Sequence, residues 1–503
     1  MCEWIVDGGT AGVARIGGPP FLLSLGAMVF SSVTFLFFFL PIVLGIYFLL
    51  RPRWRNLWLL FASVFFYTWG MGALVAILFI SVAVDFAMGF VVSSGVATGN
   101  RTQVRLGVAA SVGVNLALLG YFKYANFFVE QFNALGQVFG FEQIAWTSII
   151  LPIGISFYTF QSMSYTLDLS RGRAERIRNP IDFAVYVTMF PQLVAGPIVR
   201  FHEISAQLTS RITSLDRFAL GATRFAHGLA KKVLIGDTVA PIANAAFAAD
   251  PLTLSPGAAW LGIAAFTIQI YFDFSGYTDM AIGMGMMLGF DFPENFRRPY
   301  SALSMTDFWR RWHITLSNWF RDYLYIPLGG SRGTKARTMV NLWIVFLLVG
   351  LWHGAAWTFI LWGAYNGLLL VIERATGQRP VGDHASWAPL RRAVVLLAVM
   401  LGWVLFRSPT VTGAVDYVGA MLTTGGVTPE SLSAALDAKA MLAMGIGIAS
   451  VLIPGTVVGG LILTKWRGID GRMARLAEMA VVFPLALIAV ASGTFSPFLY
   501  YQF

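Results

Sequence analysis

The chain has 503 residues, of which 57% are hydrophobic and 12% are charged, and its net charge is +10. An ordinary soluble domain is about 25% charged, so this composition excludes a soluble globular protein and indicates one polytopic membrane domain. The positive charge does not indicate a nucleic-acid partner, because the basic residues cluster in short loops beside apolar runs, as cytoplasmic loops of membrane proteins do. The only cysteine is Cys2, which leaves no disulfide framework and no thiolate metal site.

The first 27 residues differ from the rest of the chain. Residues 1–27 are rich in glycine and lack the basic start and the cleavage site of a signal peptide. Hydrophobic density rises sharply at Met28. We therefore expect 1–27 to be a flexible N-terminal extension and 28–503 to be a single membrane domain, with Met28 as the biological start.

Apolar runs approaching the ~20 residues needed to cross a bilayer follow one another along the chain. They predict an all-α polytopic membrane protein with about 11–13 membrane segments, re-entrant and interfacial helices included. The segment 183–199 is apolar but has basic loops on both sides, which predicts a re-entrant segment lined by protein or water. The predicted crossings are 33–50, 56–71, 73–94, 105–122, 148–167, 224–242, 258–290, a hairpin over 338–373, 392–406, 440–463 and 477–495.

The distribution of basic residues predicts which loops face the cytoplasm. Lys and Arg are concentrated at 171–178 and 465–475, which indicates cytoplasmic loops. The stretch 124–147 contains no Lys or Arg, and we expect it to face outward together with 410–435.

Residues 304–325 form a segment of a different kind. Ser304, Thr306 or Asp307 can cap a helix start. Apolar side chains then recur at helical spacing with charged ones on the opposite face, which predicts an amphipathic helix in the cytoplasmic interface. His313 lies at the edge of the apolar stripe, so it should point toward the protein or the membrane. The stripe consists of Trp309, Trp312, Leu316, Trp319, Phe320 and Tyr323.

Two histidines are the strongest indication of chemistry. His353 lies in GLWHGAAW between two hydrophobic runs, and His313 lies in DFWRRWHITLS. An ionisable side chain at membrane depth is costly, which makes it a functional-site hypothesis, and imidazole suits a general base near neutral pH. A buried structural histidine is the alternative. Gly350 and Gly354 leave room beside His353 for a close approach of backbone or substrate, and the hairpin places this turn deep in the membrane or toward its outer side.

Other chemistries have less support. The histidines form no HExxH motif and no close pair, so no metal site is expected. No GxSxG elbow is present, so a serine-hydrolase mechanism is not indicated. The loop 329–333 could hold a phosphate or be a plain flexible loop, and the basic residues between Arg297 and Arg337 could set topology or grip phosphates of a donor. The five histidines are His202, His227, His313, His353 and His384.

Asp273 and Asp279 are two carboxylates in an apolar stretch. They could provide polarity for a substrate, or they could pair structurally with the arginines at 297–298. Because intramembrane charges usually pair, structural pairing is the favoured interpretation.

Further distinctive segments run nearly end to end through the chain, and with the two histidine segments they resemble the membrane-bound O-acyltransferase family, in its alginate O-acetylation branch. The resemblance implies a multi-pass fold in which His353 is the catalytic histidine and His313 the second active-site position. At the site of a third histidine in many relatives, this chain has Asn366. The segments are MVFSS at 28–32, SFYTFQ at 156–161, FPQLVAGPI at 190–198, YFDFSGYTDM at 271–280, NFRRPY at 295–300, YLYIPLGG at 323–330 and FLYYQF at 498–503.

The resemblance implies a reaction that moves an acyl group, here acetyl, from a thioester donor to a hydroxyl. His353 would take the hydroxyl proton, and His313 would bind the thioester carbonyl or orient the site. The donor-binding residues are not predicted, and no cofactor is expected beyond acetyl-CoA as donor substrate.

The first hypothesis is an O-acetyltransferase of the bacterial inner membrane that serves an exported polysaccharide such as alginate. Its expected partners are acetyl-CoA, a periplasmic acetyltransferase or esterase-like protein, the exopolysaccharide and membrane lipids. A transporter of acetyl groups or polysaccharide precursor is a second hypothesis, since broken helices and midplane polar groups also suit transporters. A D-alanyl transferase of teichoic acid is the alternative within the enzyme class.

Overall fold

The computed structural model describes residues 28–377, 386–452, 478–493 and Leu499, and these residues are built from helices joined by turns and short extended segments. Among them the only β pairing is an isolated bridge between Leu254 and Val427. The helices are α1 Leu40–Leu49, α2 Pro52–Met71, α3 Val75–Ala97, α4 Arg101–Phe139, α5 Ile155–Ser170, α6 Pro180–Thr188, α7 Phe190–Leu193, α8 Phe201–Thr209, α9 Leu215–Ala230, α10 Asp237–Ala248, α11 Pro256–Leu288, α12 Met305–Trp309, α13 Ile314–Phe320, α14 Lys335–His353, α15 Trp357–Ala375, α16 Ala388–Arg407, α17 Val411–Leu422, α18 Glu430–Ala435, α19 Ala438–Leu452 and α20 Phe483–Ser492.

Several of these helices are long and apolar enough to cross a membrane. Within the described ranges there are five such spans, and the first of them is divided by a turn at Gly72, whose φ is +53°. Shorter apolar helices accompany them at Phe35–Leu49, Val411–Leu422, Ala438–Leu452 and Met479–Ser492. The all-α membrane fold is therefore confirmed. The spans are Pro52–Ala97, Arg101–Phe139, Pro256–Leu288, Lys335–His353 and Ala388–Arg407.

Helix α4 is much longer than the crossing predicted over 105–122. The side chain of Asn100 accepts a hydrogen bond from the Gln103 amide and caps its start, and Gly140 in the left-handed conformation ends it. Its 39 residues span about 58 Å at 1.5 Å per residue, against ~30 Å of bilayer core. Most of the stretch 124–147 is therefore helix, because nothing in the sequence after 122 stops a helix before Gly140.

The segment 183–199 is buried along its whole length. It contains the end of α6, the single turn α7 and a non-helical stretch that returns the chain to α8. Non-helical backbone at membrane depth is tolerated where protein surrounds it, and the burial of 183–199 is compatible with the re-entrant course, which stays a prediction.

The basic loops gather at one end of the helices. Asn56 donates to the carboxylate of Asp182 at 2.6 Å, and Arg217 pairs with Asp291 at 2.8 Å. Leu254 and Val427 form a β-bridge that joins the loop before α11 to the loop after α17. Which end faces the cytoplasm stays a prediction, and 1–27 and 465–475 lie outside the described residues.

The two intramembrane carboxylates pair with different bases from those predicted. Asp273 lies 2.6 Å from the ammonium of Lys232, and Asp279 pairs with Arg224 and Lys231. Structural pairing is the favoured interpretation from the sequence, and the partners that the structure shows are basic residues of the helical segment 215–248, where the arginines at 297–298 were expected.

Glycines explain why these helices meet so closely. A Cβ at Gly228 would lie 2.5 Å from the carbonyl oxygen of Gly276, and a Cβ at Gly283 would lie 2.6 Å from that of Gly221. Only glycine fits such a backbone approach. The contact brings the basic residues that follow α9 against the carboxylates of α11.

Candidate active site

His313 occupies a break between two short helices. The predicted continuous helix over 304–325 is interrupted after Trp309, and the chain resumes as helix at Ile314. His313 itself has φ +43° and ψ +55°, a left-handed conformation that costs a non-glycine residue on the order of 1–3 kcal/mol. Residues held in such conformations cluster at functional sites. The apolar stripe predicted for this segment is buried in the protein, and His313 is fully buried with it.

Backbone hydrogen bonds hold this strained turn in place. The amide of Ile314 donates to the carbonyl oxygen of Asn295 at 3.0 Å, and the amide of Arg297 donates to that of Arg311 at 2.9 Å. The amide of Ile198, in the re-entrant segment, donates to the hydroxyl of Thr315 at 3.1 Å. Three segments that are distant in sequence therefore converge on His313.

The side chain of Asn295 sets the tautomer of His313. Its Oδ1 receives hydrogen bonds from the Thr315 amide at 3.2 Å and the Thr315 hydroxyl at 3.0 Å, and it lies 3.1 Å from Nδ1 of His313. A backbone amide only donates, so the Asn295 atom at this point is the oxygen. Nδ1 of His313 must then carry the proton, and Nε2 carries the lone pair of the neutral ring.

Burial reinforces the neutral form of His313. Removal from water disfavours the imidazolium and lowers the pKa of His313 to about 3. At neutral pH the ring is therefore an acceptor at Nε2. Of the two roles expected for His313, an acceptor at Nε2 favours orienting the site over binding the thioester carbonyl, because a carbonyl oxygen requires a donor.

His353 is the last residue of α14, at the turn of a tight helical hairpin. A Cβ at Gly350 would lie 2.3 Å from the carbonyl oxygen of Phe359, and a Cβ at Gly363 would lie 2.4 Å from that of Phe346. The two helices thus touch backbone to backbone. The expectation that Gly350 permits close approach is confirmed, and the partner is the second helix of the hairpin.

Aromatic rings surround both histidines and connect them. The ring of His353 lies 5.0 Å from Trp362, 5.2 Å from Phe406 and 5.0 Å from Trp352, measured between ring centroids. The ring of His313 lies 5.8 Å from the same Trp352. His353 is 4% exposed and His313 is 0% exposed. The structure therefore brings the two predicted site residues together beside one tryptophan, in a water-poor environment.

His202 and Asn366 form hydrogen bonds with groups other than the two site histidines. His202 pairs with the buried carboxylate of Asp168 at 2.8 Å, and His384 lies outside the described residues. Within the part of the chain that the structure describes, no group of His, Cys, Asp and Glu side chains could hold a metal ion. Asn366 donates to the carbonyl of Trp362 four residues earlier, at 2.9 Å, so it bonds within its own helix.

Sequence reasoning missed the residues that support the two histidines. Asn295 begins the NFRRPY segment and Thr315 follows His313 by two residues, but neither spacing shows that their side chains meet. Lys123, whose ammonium donates to the carbonyl of His353 at 2.9 Å, lies one residue beyond the crossing predicted over 105–122. The sequence does contain a signal for Lys123: it is a lone lysine in a long apolar stretch, and such residues are functional-site hypotheses.

Comparison with known proteins identifies the family. A sequence profile of the membrane-bound O-acyltransferase family, MBOAT, matches residues 61–380. The chain is similar to a probable alginate O-acetylase of Azotobacter vinelandii, with 44% identity over 95% of this chain and 100% of the relative.

More distant relatives are also transferases by name. A peptidoglycan O-acetyltransferase of Helicobacter pylori is 36% identical over 82% of this chain and 83% of the relative. A teichoic acid D-alanyltransferase of Bacillus subtilis is 26% identical over 50% of this chain and 66% of the relative. The family profile and these names support an O-acyltransferase and not a transporter.

Proposed function

We propose that this chain, which belongs to the membrane-bound O-acyltransferase family, moves an acetyl group from acetyl-CoA to a hydroxyl during O-acetylation of an exported polysaccharide such as alginate. The protein is a membrane-embedded O-acyltransferase. The bacterial inner membrane is its proposed location, and the donor is proposed to approach from the cytoplasmic side.

One observation carries the proposed mechanism. His353 and His313 are buried side chains whose rings both pack against Trp352, in a chain 44% identical to a probable alginate O-acetylase. The aromatic rings exclude bulk water, so a thioester held there would be protected from hydrolysis.

His353 is the proposed general base. It takes the proton of the acceptor hydroxyl, and the oxygen then attacks the thioester carbonyl carbon. The carbon–sulfur bond breaks as the tetrahedral intermediate collapses, and the proton held by His353 passes to the departing thiolate. The products are an acetyl ester and free CoA thiol, and His353 is again neutral.

His313 is proposed to orient the site. The hydrogen bond from its Nδ1 to Asn295 leaves an acceptor at Nε2, which can receive a hydrogen bond from a bound water or from a second hydroxyl of the acceptor, and the reacting hydroxyl keeps its proton for His353. Its strained backbone conformation is held by Asn295 and Thr315, so the ring is positioned before substrate arrives.

Acetyl is the preferred acyl group because the acetyl-transferring relatives are much more similar to this chain than the D-alanyl-transferring ones, at 44% and 36% against 26% identity. We also propose a periplasmic partner protein of the acetyltransferase or esterase-like class, which would receive the acetyl group or pass it to the polymer.

Labelled donors test the proposal. Membranes containing the full chain are incubated with [acetyl-¹⁴C]acetyl-CoA and deacetylated alginate, with and without a periplasmic extract of an alginate-producing bacterium. Base-labile label in the polymer or in an extract protein is expected only when the chain is present. Transfer from a D-alanyl thioester but not from acetyl-CoA would overturn the acetyl assignment.

A further inference from the structure

The end of α14, which carries His353, is held by two consecutive residues of α4. A helix leaves its last four carbonyl groups without partners inside the helix. Tyr124 donates its hydroxyl proton to the carbonyl of Leu351, and the Lys123 ammonium donates to those of Trp352 at 2.6 Å and His353 at 2.9 Å. The remaining carbonyl, of Gly350, accepts from the Gly354 amide at 3.4 Å. All four carbonyls at this end are thus satisfied.

Lys123 is a buried lysine whose hydrogen-bond partners are all neutral. Its third hydrogen bond goes to the hydroxyl of Ser156 at 3.1 Å, and its side chain is buried. Among the described residues no carboxylate lies within ion-pairing distance of this ammonium; the ion pairs found there involve other bases. A buried charge without a counter-charge is costly.

A neutral donor would be enough for capping alone. Tyr124 shows this one residue later, because its uncharged hydroxyl caps Leu351. The carbonyls of Trp352 and His353 are instead capped by an ammonium. Because capping alone does not need a positive charge, the charge itself is expected to have a role. A cation at a helix C-terminus is favoured by the helix dipole, and it also acts on any titratable group nearby.

We infer that Lys123 is a positioning residue for the proposed base His353: it fixes the turn that presents the imidazole and, through its charge, keeps that imidazole unprotonated and ready to accept the hydroxyl proton. The inference rests on the proposed function. It extends the site to α4, a helix that contributes neither of the two histidines.

Few other groups can influence the protonation of His353. Helices α15 and α16 face His353 with Trp362 and Phe406, which carry no charge. The His313 ring lies beside the same Trp352 ring as His353, and Lys123 donates to the carbonyl oxygen of His353. His313 is neutral at physiological pH, so Lys123 is the charge that can be removed to test the inference.

Three variants of the full-length protein in proteoliposomes separate charge from capping. Lys123→Met removes the charge and the donor, Lys123→Gln removes the charge and keeps a donor, and Tyr124→Phe removes the neighbouring neutral cap. Acetyl transfer from [acetyl-¹⁴C]acetyl-CoA is measured from pH 5 to 9, with insertion and thermal stability measured in parallel.

Both Lys123 variants are expected to shift the acid limb of the rate profile to higher pH, because a positive charge no longer opposes protonation of His353. Lys123→Met should also lower kcat by about 10²-fold, the size of effect that a misplaced catalytic group can have, with KM for acetyl-CoA little changed. Tyr124→Phe should leave the pH profile unchanged. A purely structural lysine would instead lower the amount of inserted protein without moving the profile of the remaining enzyme.

The outcomes distinguish this inference from the proposed function. If His353→Ala retains transfer, the proposed base is wrong. If His353→Ala is inactive while Lys123→Gln and Tyr124→Phe share the wild-type pH profile, the role of the Lys123 charge is refuted. The role of His353 as the proposed base is then unaffected.

Discussion

Replacing Asn295 should disable the site without touching either histidine. The Oδ1 atom of Asn295 accepts from Nδ1 of His313 and from both donors of Thr315. Asn295→Leu has a similar volume but leaves these three buried donors without their acceptor. At roughly 1 kcal/mol for each hydrogen bond, the cost is about 3 kcal/mol, which corresponds to about 10²-fold in rate if it falls on the reactive geometry.

Asn295→Asp separates geometry from charge. The carboxylate keeps the acceptor oxygen, but its negative charge favours protonation of the neighbouring imidazole. The pKa of His313 should therefore rise from about 3, and a protonated ring loses its acceptor at Nε2. Activity of Asn295→Asp should fall as the pH is lowered through the new pKa and recover at higher pH, where His313 is again neutral.

The assay is transfer of labelled acetyl to polymer by full-length variants, normalised to inserted protein, with thermal stability measured on the same preparations. Thr209→Val, which alters an exposed side chain on α8, serves as the control. Wild-type activity in Asn295→Leu at equal stability would refute the account of how His313 is held.

Three further predictions follow from the fold. Gly350→Ala should separate the two helices of the hairpin and reduce activity strongly, because its Cβ would lie 2.3 Å from the carbonyl oxygen of Phe359. Gly113→Ala should be neutral, because nothing lies within 4 Å of its Cβ. Equal thermal stability of the two variants would contradict this. A chain beginning at Met28 should insert and acetylate like the full chain, and loss of acetylation would give the extension a role. In a Cys2→Ser background, an impermeant thiol reagent applied to intact cells should label Glu142→Cys but not Glu175→Cys, and the reverse pattern would overturn the predicted sidedness.

Much of the fold follows from the sequence because the bilayer constrains it. Apolar runs of spanning length predict α2, α3 and α11 within a few residues. Where local signals are weak, prediction fails: nothing but Gly140 marks the true end of α4. The break at His313 is also hidden, since the apolar spacing of 304–325 continues across it and tertiary contacts with Asn295 outweigh the local helical preference.

The candidate site, like the fold, is only partly predictable from the sequence. The cost of burying imidazole at membrane depth singles out His353 and His313 from the sequence. Their supporting contacts join residues far apart in the chain, such as Lys123 with the carbonyl of His353 and Ile198 with Thr315. Asp273 and Asp279 are recognisable from the sequence as paired charges. Their partners depend on how closely α9 and α11 pack, and the sequence does not show that close packing.

The role of His353 as the base is the central claim, and one comparison tests it most directly. Acetyl content of the secreted polymer is measured in cells that carry His353→Ala, and in matched cells that carry His202→Ala, with membrane protein levels determined in parallel. Loss of a general base typically costs ~10²–10⁴ in rate, so His353→Ala should abolish detectable acetylation at normal insertion while His202→Ala retains most of it. A well-inserted His353→Ala protein that still acetylates the polymer would contradict the mechanism.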